Sequence, residues 1–561
     1  MKRLRHICFG LVALSLVTPS LQAQPSSQDI DALFATWDQP DSPGCAVGVY
    51  RDGELLYAKG YGFAQLEYDI PITPTTVFHV ASVSKQFTAF AITMLAQQGE
   101  LSLDDNVRQY VPELPDYGRS ITIRHLIHHT SGLRDQWDLL VLAGWRMDDV
   151  ITRDDVMELV VRQRDLNFEP GDQYTYCNTG YTLLGLIVER VTETPFPQWC
   201  EENIFTPLGM SNTHFHDDHM HIVPNRAYSY RMGMAGPRNA VLSYAIAGAT
   251  SLFTTIEDLA KWQHNFQTAH VGGKTVIEQM MQRGELNDGE TIAYAHGLSH
   301  GEFQGLPTIG HSGGDAGFRC HLVRFPEQHL SIAVLGNTAM PTSRLALHVA
   351  SLYLKDDVPT PSPDQSTSNT SAEPEAEESP YDLDIAEFPR FVGRFVHEIR
   401  PQLLLVSIRD EQLFIELVGQ GSDSLRPISS TTFRLANVPM PITIEFTIDP
   451  ETNKALRIEL IQPDGDTESF RVSSAPEVED LQHYAGRYYS DELDVSYEVV
   501  LIDDELQIKR RKYGQITMTP LDRDRFNADN IYEFTRDASG RIDGFKLSSG
   551  RVKNLVFRKL D

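Results

Sequence analysis

Positive charge is scarce in this sequence. Lysine and arginine number 48 against 77 aspartates and glutamates, a formal net charge of -29 over 561 residues. Nucleic-acid binding needs a clustered cationic footprint, so a phosphate backbone and an anionic lipid surface would both repel this chain. Cysteine is scarce too. The five present, Cys8, Cys45, Cys177, Cys200 and Cys320, show no CxxC spacing. That argues against a disulfide framework and against a thiolate metal site, and neither a metal nor a cofactor is expected. Long apolar runs are also missing: Ile7 to Val17 falls short of the roughly 20 residues of a membrane helix, and no later segment approaches that length without charges. Stable membrane insertion is therefore not expected.

What is present suits a globular protein, 41% hydrophobic and 22% charged. The length exceeds one ordinary core and suggests several domains, or a large one with attachments. Residues 1–23 read as a signal peptide, with Lys2, Arg3 and Arg5 as basic head, the short apolar run, and Leu21-Gln22-Ala23 before a cleavage that leaves Gln24 first. Cys8 lies inside the run, which disfavours lipid attachment. The mature protein is expected to be periplasmic or secreted, its four remaining cysteines mostly buried thiols.

Residues 24–357 read as one mixed α/β unit. A helix opens it, and a hairpin follows, with Cys45 to Tyr50 and Glu54 to Tyr61 around Arg51-Asp52-Gly53. Near its end come strand-like runs Phe318 to Phe325 and Leu330 to Gly336, then a helix from Ser343 to Leu354. This order predicts one antiparallel sheet closed by both chain ends, with a helical region inserted. Residues 358–380 are rich in Pro, Ser, Thr and Glu, which fits a tether.

Beyond it the chain repeats. Phe391-Val392-Gly393-Arg394-Phe395 matches Tyr484-Ala485-Gly486-Arg487-Tyr488, and the same offset aligns Asp410 with Asp503, Leu413 with Leu506, Pro427 with Pro520 and Phe433 with Phe526. Short alternating runs between Asp, Gly and Asn turns predict two small all-β antiparallel barrels, residues 381–475 and 476–561. Each is expected to own its core, so that a chain cut after about Leu354 would still fold.

Three motifs carry chemistry. Ser82-Val83-Ser84-Lys85 precedes an apolar stripe of Phe87, Phe90, Ala91, Met94 and Leu95 that ends at Gly99. This puts Ser82 in the first turn of a buried helix, with Lys85 on the same face. A serine hydroxyl is a poor nucleophile unaided, and a desolvated lysine can accept its proton. Ser84 is the rival nucleophile. Tyr174-Thr175-Tyr176-Cys177-Asn178 stands before a helical run and offers a phenol, whose ionisation a nearby Lys85 ammonium would favour, and an amide to grip substrate. Gly310-His311-Ser312-Gly313-Gly314 leads into a strand, and its glycines allow close backbone approach.

These motifs, in this order, resemble those of the serine β-lactamase and penicillin-binding superfamily, whose pattern is Ser-x-x-Lys, Tyr-x-Asn and Lys-Thr-Gly. Ala81 to Phe87, His128-His129-Thr130-Ser131-Gly132-Leu133, and Gly248 to Trp262 are similar to signatures of its class C-related branch. The resemblance covers nearly all of residues 28–355. It implies an α/β (α+β) β-lactamase/transpeptidase-like domain, Ser82 as nucleophile, Lys85 and Tyr176 as the proton-handling pair, and Asn178 as substrate ligand. Backbone N–H groups of Ser82 and Gly314 would form the oxyanion hole, beside Gly313. Adjacent His128 and His129 lack ligand partners at metal spacing and read as structural.

One departure stands out. His311 occupies the third-motif lysine position, where a mostly neutral imidazole anchors a substrate carboxylate weakly but still offers a hydrogen bond, and would gain charge towards pH 5. The His-x-Gly variant, with two barrels behind the first domain (lipocalin-like in outline), resembles D-aminopeptidases and the family's esterases. A small-molecule or short-peptide substrate is implied, with oligomeric state open. The alternatives are a D-Ala-D-Ala carboxypeptidase or β-lactamase, and a non-catalytic penicillin-binding sensor.

Overall fold

The computed structural model describes residues 25–355, 357, 381–397, 402–418, 421–437, 442–462, 466–474 and 478–560. The proposed signal peptide and the proposed tether lie outside these residues.

The N-terminal domain is built on a six-stranded antiparallel sheet. Strands β1 (Cys45–Arg51) and β2 (Glu54–Tyr61) come from its beginning, and β3 (Ser299–Phe303), β4 (Leu306–Asp315), β5 (Phe318–Phe325) and β6 (Leu330–Gly336) from its end, in the order β3-β4-β5-β6-β1-β2. The join falls between β1 and β6, Cys45 opposite Gly336 and Arg51 opposite Leu330. Because side chains alternate along a strand, β1 sends Cys45, Val47 and Val49 to one face and Ala46 and Tyr50 to the other. The first set packs on helices α1 (Ser27–Phe34) and α6 (Thr342–Tyr353) through Ile30, Phe34, Leu345 and Val349. The second set joins the core of the inserted helical region.

That region contains α2 (Lys85–Gln98), α3 (Gln136–Leu142), α4 (Asn178–Thr192) and α5 (Ile256–Thr268). Helix α2 is buried from Lys85 to Leu95, and Gly99 ends it in the left-handed conformation, φ +80°. Trp262 of α5 packs on Phe87, ring centroids 4.2 Å apart, and its indole N–H donates to Gln86 Oε1 at 2.7 Å. These contacts fix the entry to α2, where the Ser-x-x-Lys motif sits.

The C-terminal half is two copies of one β architecture. The first is a closed barrel of eight strands from Gly393–His397 to Thr467–Val472, with Phe395 opposite Val472 at closure. The second is a nearly closed barrel, a nine-stranded sheet whose edges are Gly514–Thr517 and Thr519–Asp522. Equivalent residues take equivalent places. Pro427 pairs with Phe433 and Pro520 with Phe526. Asp410 and Asp503 both turn at φ +49°.

The copies differ in what they cover. The first has its own core around Phe391, Phe433 and Phe446. The second has an equivalent aromatic core of Tyr484, Tyr488, Phe526, Phe534 and Phe545, but that core runs on into the cluster that also holds Phe87 and Trp262. Across this interface Tyr497 Oη donates to the Leu142 carbonyl (2.7 Å) and Tyr513 Oη to that of Trp145 (2.6 Å). Arg134 meets Glu492 at 2.6 Å, both side chains almost wholly buried. Alternation along a strand states that one face is covered, not by what.

Cutting the chain after Leu354 is therefore expected to give an aggregating product, because residues 142–145 and the Arg134 guanidinium lose their cover. Glu492→Ala in the full chain should cost about 3 kcal/mol by leaving a buried cation without its anion. Size-exclusion chromatography and urea denaturation check both.

Candidate active site

Ser82 lies on a short 3-10 turn, Ala81–Ser84, that runs directly into α2. Ala81 is held at φ +48°, a left-handed conformation that costs an alanine free energy and has to be enforced by its surroundings. The two serines of the motif are separated by their contacts. Ser84 is fully buried, donates to the Ala81 carbonyl (2.5 Å) and accepts the Leu252 N–H (3.0 Å), so its hydroxyl braces the turn. Ser82 is partly exposed and lines a cavity of about 530 Å³.

Lys85 is completely buried, with its Nζ 3.2 Å from Ser82 Oγ. Nζ also donates to Asn178 Oδ1 (2.8 Å) and to the Ala249 carbonyl (2.7 Å). Burial draws its pKa down to about 7, with Asp315 and Asp135 opposing. An amine carries two N–H bonds and one lone pair when neutral. With both N–H bonds taken by Asn178 and Ala249, the lone pair is directed at Ser82.

Tyr176 sits beside this pair, its ring centroid 4.8 Å from Lys85 Nζ. Its hydroxyl is turned towards Ser82 but makes no hydrogen bond of normal geometry and is buried. The expectation of a phenol made acidic by Lys85 is overturned, because burial dominates and raises its pKa. Asn178 is also corrected. It is buried and its amide joins Lys85 to Asp135: Asp135 Oδ2 accepts both the Asn178 backbone N–H (2.6 Å) and Nδ2 (2.9 Å). It orients the lysine instead of reaching into the cavity.

On the facing side runs β4. Gly313 has to be glycine, since a Cβ there would stand 2.3 Å from the Val80 carbonyl oxygen and 3.2 Å from the Ser82 nitrogen. This close approach brings Ser312 and Gly314 towards Ser82, and all three residues line the cavity. The next residue, Asp315, is gripped by His79 Nε2 (3.0 Å) and the Thr250 hydroxyl (2.5 Å), which fixes the end of the strand.

His311 lines the cavity but its ring nitrogens are committed. Nδ1 faces the Ser312 carbonyl at 2.5 Å and must donate to it, so Nε2 accepts from Tyr294 Oη at 3.0 Å. Burial, helped by Lys85, pushes its pKa down to about 3. The expected gain of charge towards pH 5 is therefore corrected, and the imidazole hydrogen bond is spent on Tyr294. His129 serves structurally, its Nδ1 accepting the Cys177 N–H at 3.0 Å.

Sequence reasoning missed Asp135, Ala249, Tyr294 and Asp315. Ala249 lies inside the quoted Gly248 to Trp262 segment, and Asp135 follows His128 to Leu133 by two residues, so extending the signatures would have found both.

Among the described residues no group of three or more His, Cys, Asp or Glu could hold a metal ion, and no helix is long and apolar enough to cross a membrane. The geometry sets a partly exposed serine hydroxyl beside a buried lysine amine. The β-lactamase family profile matches residues 30–352, and the chain belongs to that family. It is 26% identical over 462 residues to Penicillin-binding protein 4* of Bacillus subtilis (strain 168), covering 79% of this chain and 98% of that protein. It is 28% identical over 296 residues to the D-aminopeptidase of Gluconobacter oxydans (strain 621H), which is 53% of this chain and 56% of that enzyme. The same fold occurs in the octameric penicillin-binding protein homologue from Pyrococcus abyssi (TM-score 0.53, 24% identity, covering 79% of this chain and 98% of that one). It also occurs in the D-amino acid amidase from Ochrobactrum anthropi SV3 (TM-score 0.51, 21% identity, 59% and 99%).

Only the neutral amine can take the serine proton, so kcat/KM should rise with pH along a limb near 7, where Lys85 deprotonates. No separate limb from His311 is expected between pH 5 and 8. A pH-rate profile on an uncharged ester substrate measures both.

Proposed function

We propose that this chain is a serine hydrolase cleaving amide or ester bonds of small or short-peptide substrates through an acyl-enzyme on Ser82. The observation that carries the reading is the Lys85 amine with two directions fixed by Asn178 and Ala249 and the third on Ser82. Ser82 Oγ attacks the substrate carbonyl while its proton passes to Lys85 Nζ. The oxyanion is received by the backbone N–H groups of Ser82 and Gly314 at the edge of β4. On collapse the leaving nitrogen or oxygen takes the Tyr176 phenol proton, and Lys85 returns its proton to the phenolate. Water then cleaves the ester by the same steps. A phenol kept neutral by burial suits the role of acid. The sequence of residues 1–23 supports export.

The cavity wall argues for substrate type. Among the described residues lining it there is no lysine or arginine, and Glu302 supplies a carboxylate. Such a wall favours neutral substrates or those with a free amine, in keeping with relatives named D-aminopeptidase, over carboxylate-bearing penicillins and D-Ala-D-Ala peptides.

Ser82→Ala is expected to abolish turnover and fluorophosphonate labelling while thermal unfolding stays unchanged. Peptide mass spectrometry of the wild-type adduct should find the label on Ser82, and a label on Ser84 would overturn the assignment. The wall is tested with D-amino-acid amides, short-chain esters and a chromogenic cephalosporin. Glu302→Gln should raise KM about threefold for the amides and leave the esters alone, the size of one exposed ion pair. His311→Lys should shift relative kcat/KM towards the cephalosporin by about 1 kcal/mol. Wild type preferring the cephalosporin would favour the β-lactamase reading.

A further inference from the structure

The second barrel reaches the back of the active site. Its last hairpin, β7 (Ile542–Ser549) and β8 (Val552–Leu560), turns at Gly550 and sets Arg551 against the N-terminal domain. Gly550 has φ +47°, and a Cβ on it would lie 2.9 Å from Asp138 Oδ2. The turn is docked by its main chain. The Arg551 N–H donates to Asp138 Oδ2 (2.7 Å), while its carbonyl accepts from Asn167 Nδ2 (2.8 Å) and the Asp135 N–H (3.3 Å). The guanidinium, held by these contacts, pairs with Asp135 Oδ1 at 3.1 Å.

Asp135 is fully buried. Its carboxylate caps α3 by accepting the Trp137 N–H (3.0 Å) and takes two further N–H bonds from Asn178. Burial raises its pKa, Arg551 and the N–H donors of Asn178 and Trp137 oppose that rise, and a buried carboxylate that is to stay ionised needs a cation. Arg551 supplies it. Deprived of Arg551, Asp135 would draw its compensation from Lys85, one amide away through Asn178. An amine held as ammonium cannot take the Ser82 proton.

We propose that Arg551 is a positioning residue of the active site. By neutralising Asp135 it leaves Asn178 to present its carbonyl oxygen to Lys85 and leaves Lys85 free to stand as the neutral base. Turnover is thereby made conditional on docking of the second barrel. The proposal rests on the reading of Ser82 and Lys85 given above.

Other ionisable or charged groups also face Lys85: Asp315 and His311 from β4, Tyr176 and Cys177 before α4, Tyr181 on α4, and His129. None of these is altered in the test; because the Arg551 guanidinium also meets Asp138 (3.5 Å), the Asp135→Asn and double variants isolate the Arg551–Asp135 pair.

The full chain is compared as wild type, Arg551→Gln, Arg551→Lys, Asp135→Asn and the Arg551→Gln/Asp135→Asn double variant, each checked for folding by thermal unfolding. A fluorophosphonate probe is followed from pH 5 to 9.5, the Ser82 Oγ–P bond forming as fluoride leaves and the serine proton goes to Lys85. In Arg551→Gln the acid limb should move up by about one pH unit, a loss of about fivefold at pH 7 that approaches tenfold below pH 6 and is recovered by pH 9. Arg551→Lys should restore most of it. Asp135→Asn should move the limb down, and the double variant should return towards wild type. In steady-state ester hydrolysis the loss should fall on kcat, with KM little changed. A loss in Arg551→Gln that is equal at every pH, or no loss, overturns the proposal. A wild-type chain that never labels at Ser82 overturns the catalytic reading itself.

Discussion

A lysine amine sealed from water is an acid or a base according to what it touches, and the rest of this site is arranged around that choice. Lys85 has no exposed surface and three acceptors within reach. Desolvation favours its neutral form, and the nearby carboxylates Asp315 and Asp135 favour the ammonium. Neither carboxylate touches it directly. Asp315 is occupied by His79 and Thr250, and Asp135 by Asn178 and Arg551. Fixing each anion on another donor keeps its influence on the amine partial, so Lys85 stays near the midpoint where it can both receive and return a proton.

The same logic explains why the walls are built as they are. The turn at Ser82 needs a strained Ala81, a bracing Ser84 and a strand pressed close enough to exclude any side chain at Gly313. These features place the hydroxyl at the cavity edge and leave it no partner stronger than Lys85. His311 belongs to the wall in another sense. Spending both nitrogens on Ser312 and Tyr294 makes it a neutral surface that holds a tyrosine in place, where a lysine would have projected a charge.

Much of this was legible from local sequence. Strands β5 and β6 begin and end at the residues their apolar runs name, Gly99 stops α2, and the positions the repeat offset aligns take equivalent places, Pro427 opposite Phe433 and Pro520 opposite Phe526. The closeness of Lys85 to Ser82 was legible because residues three apart on a helical turn share a face. What was not legible depends on partners far apart in the chain. Nothing near Asn178 announces that its amide is bound to Asp135, and nothing near His311 announces Tyr294. The two barrel copies read alike because alternation reports the face buried inside each, and not that the second copy also packs on residues 142–145.

The interface between the first domain and the second barrel also carries its own specification. Arg134 and Asp135 are consecutive, bear opposite charges, and are met by opposite charges from the same barrel, Glu492 and Arg551. A barrel turned or slid by one strand would bring like charges together in a buried setting, which costs several kcal/mol. Apolar burial alone would tolerate such a slip, because it is not directional. Around the rim Lys512 meets Asp149 and Arg162 meets Asp494, both partly exposed and worth little alone but of the same sense. The buried pair of charges therefore sets the register of docking, and the register is what carries the Arg551 guanidinium to Asp135 and, through Asn178, to the amine beside Ser82.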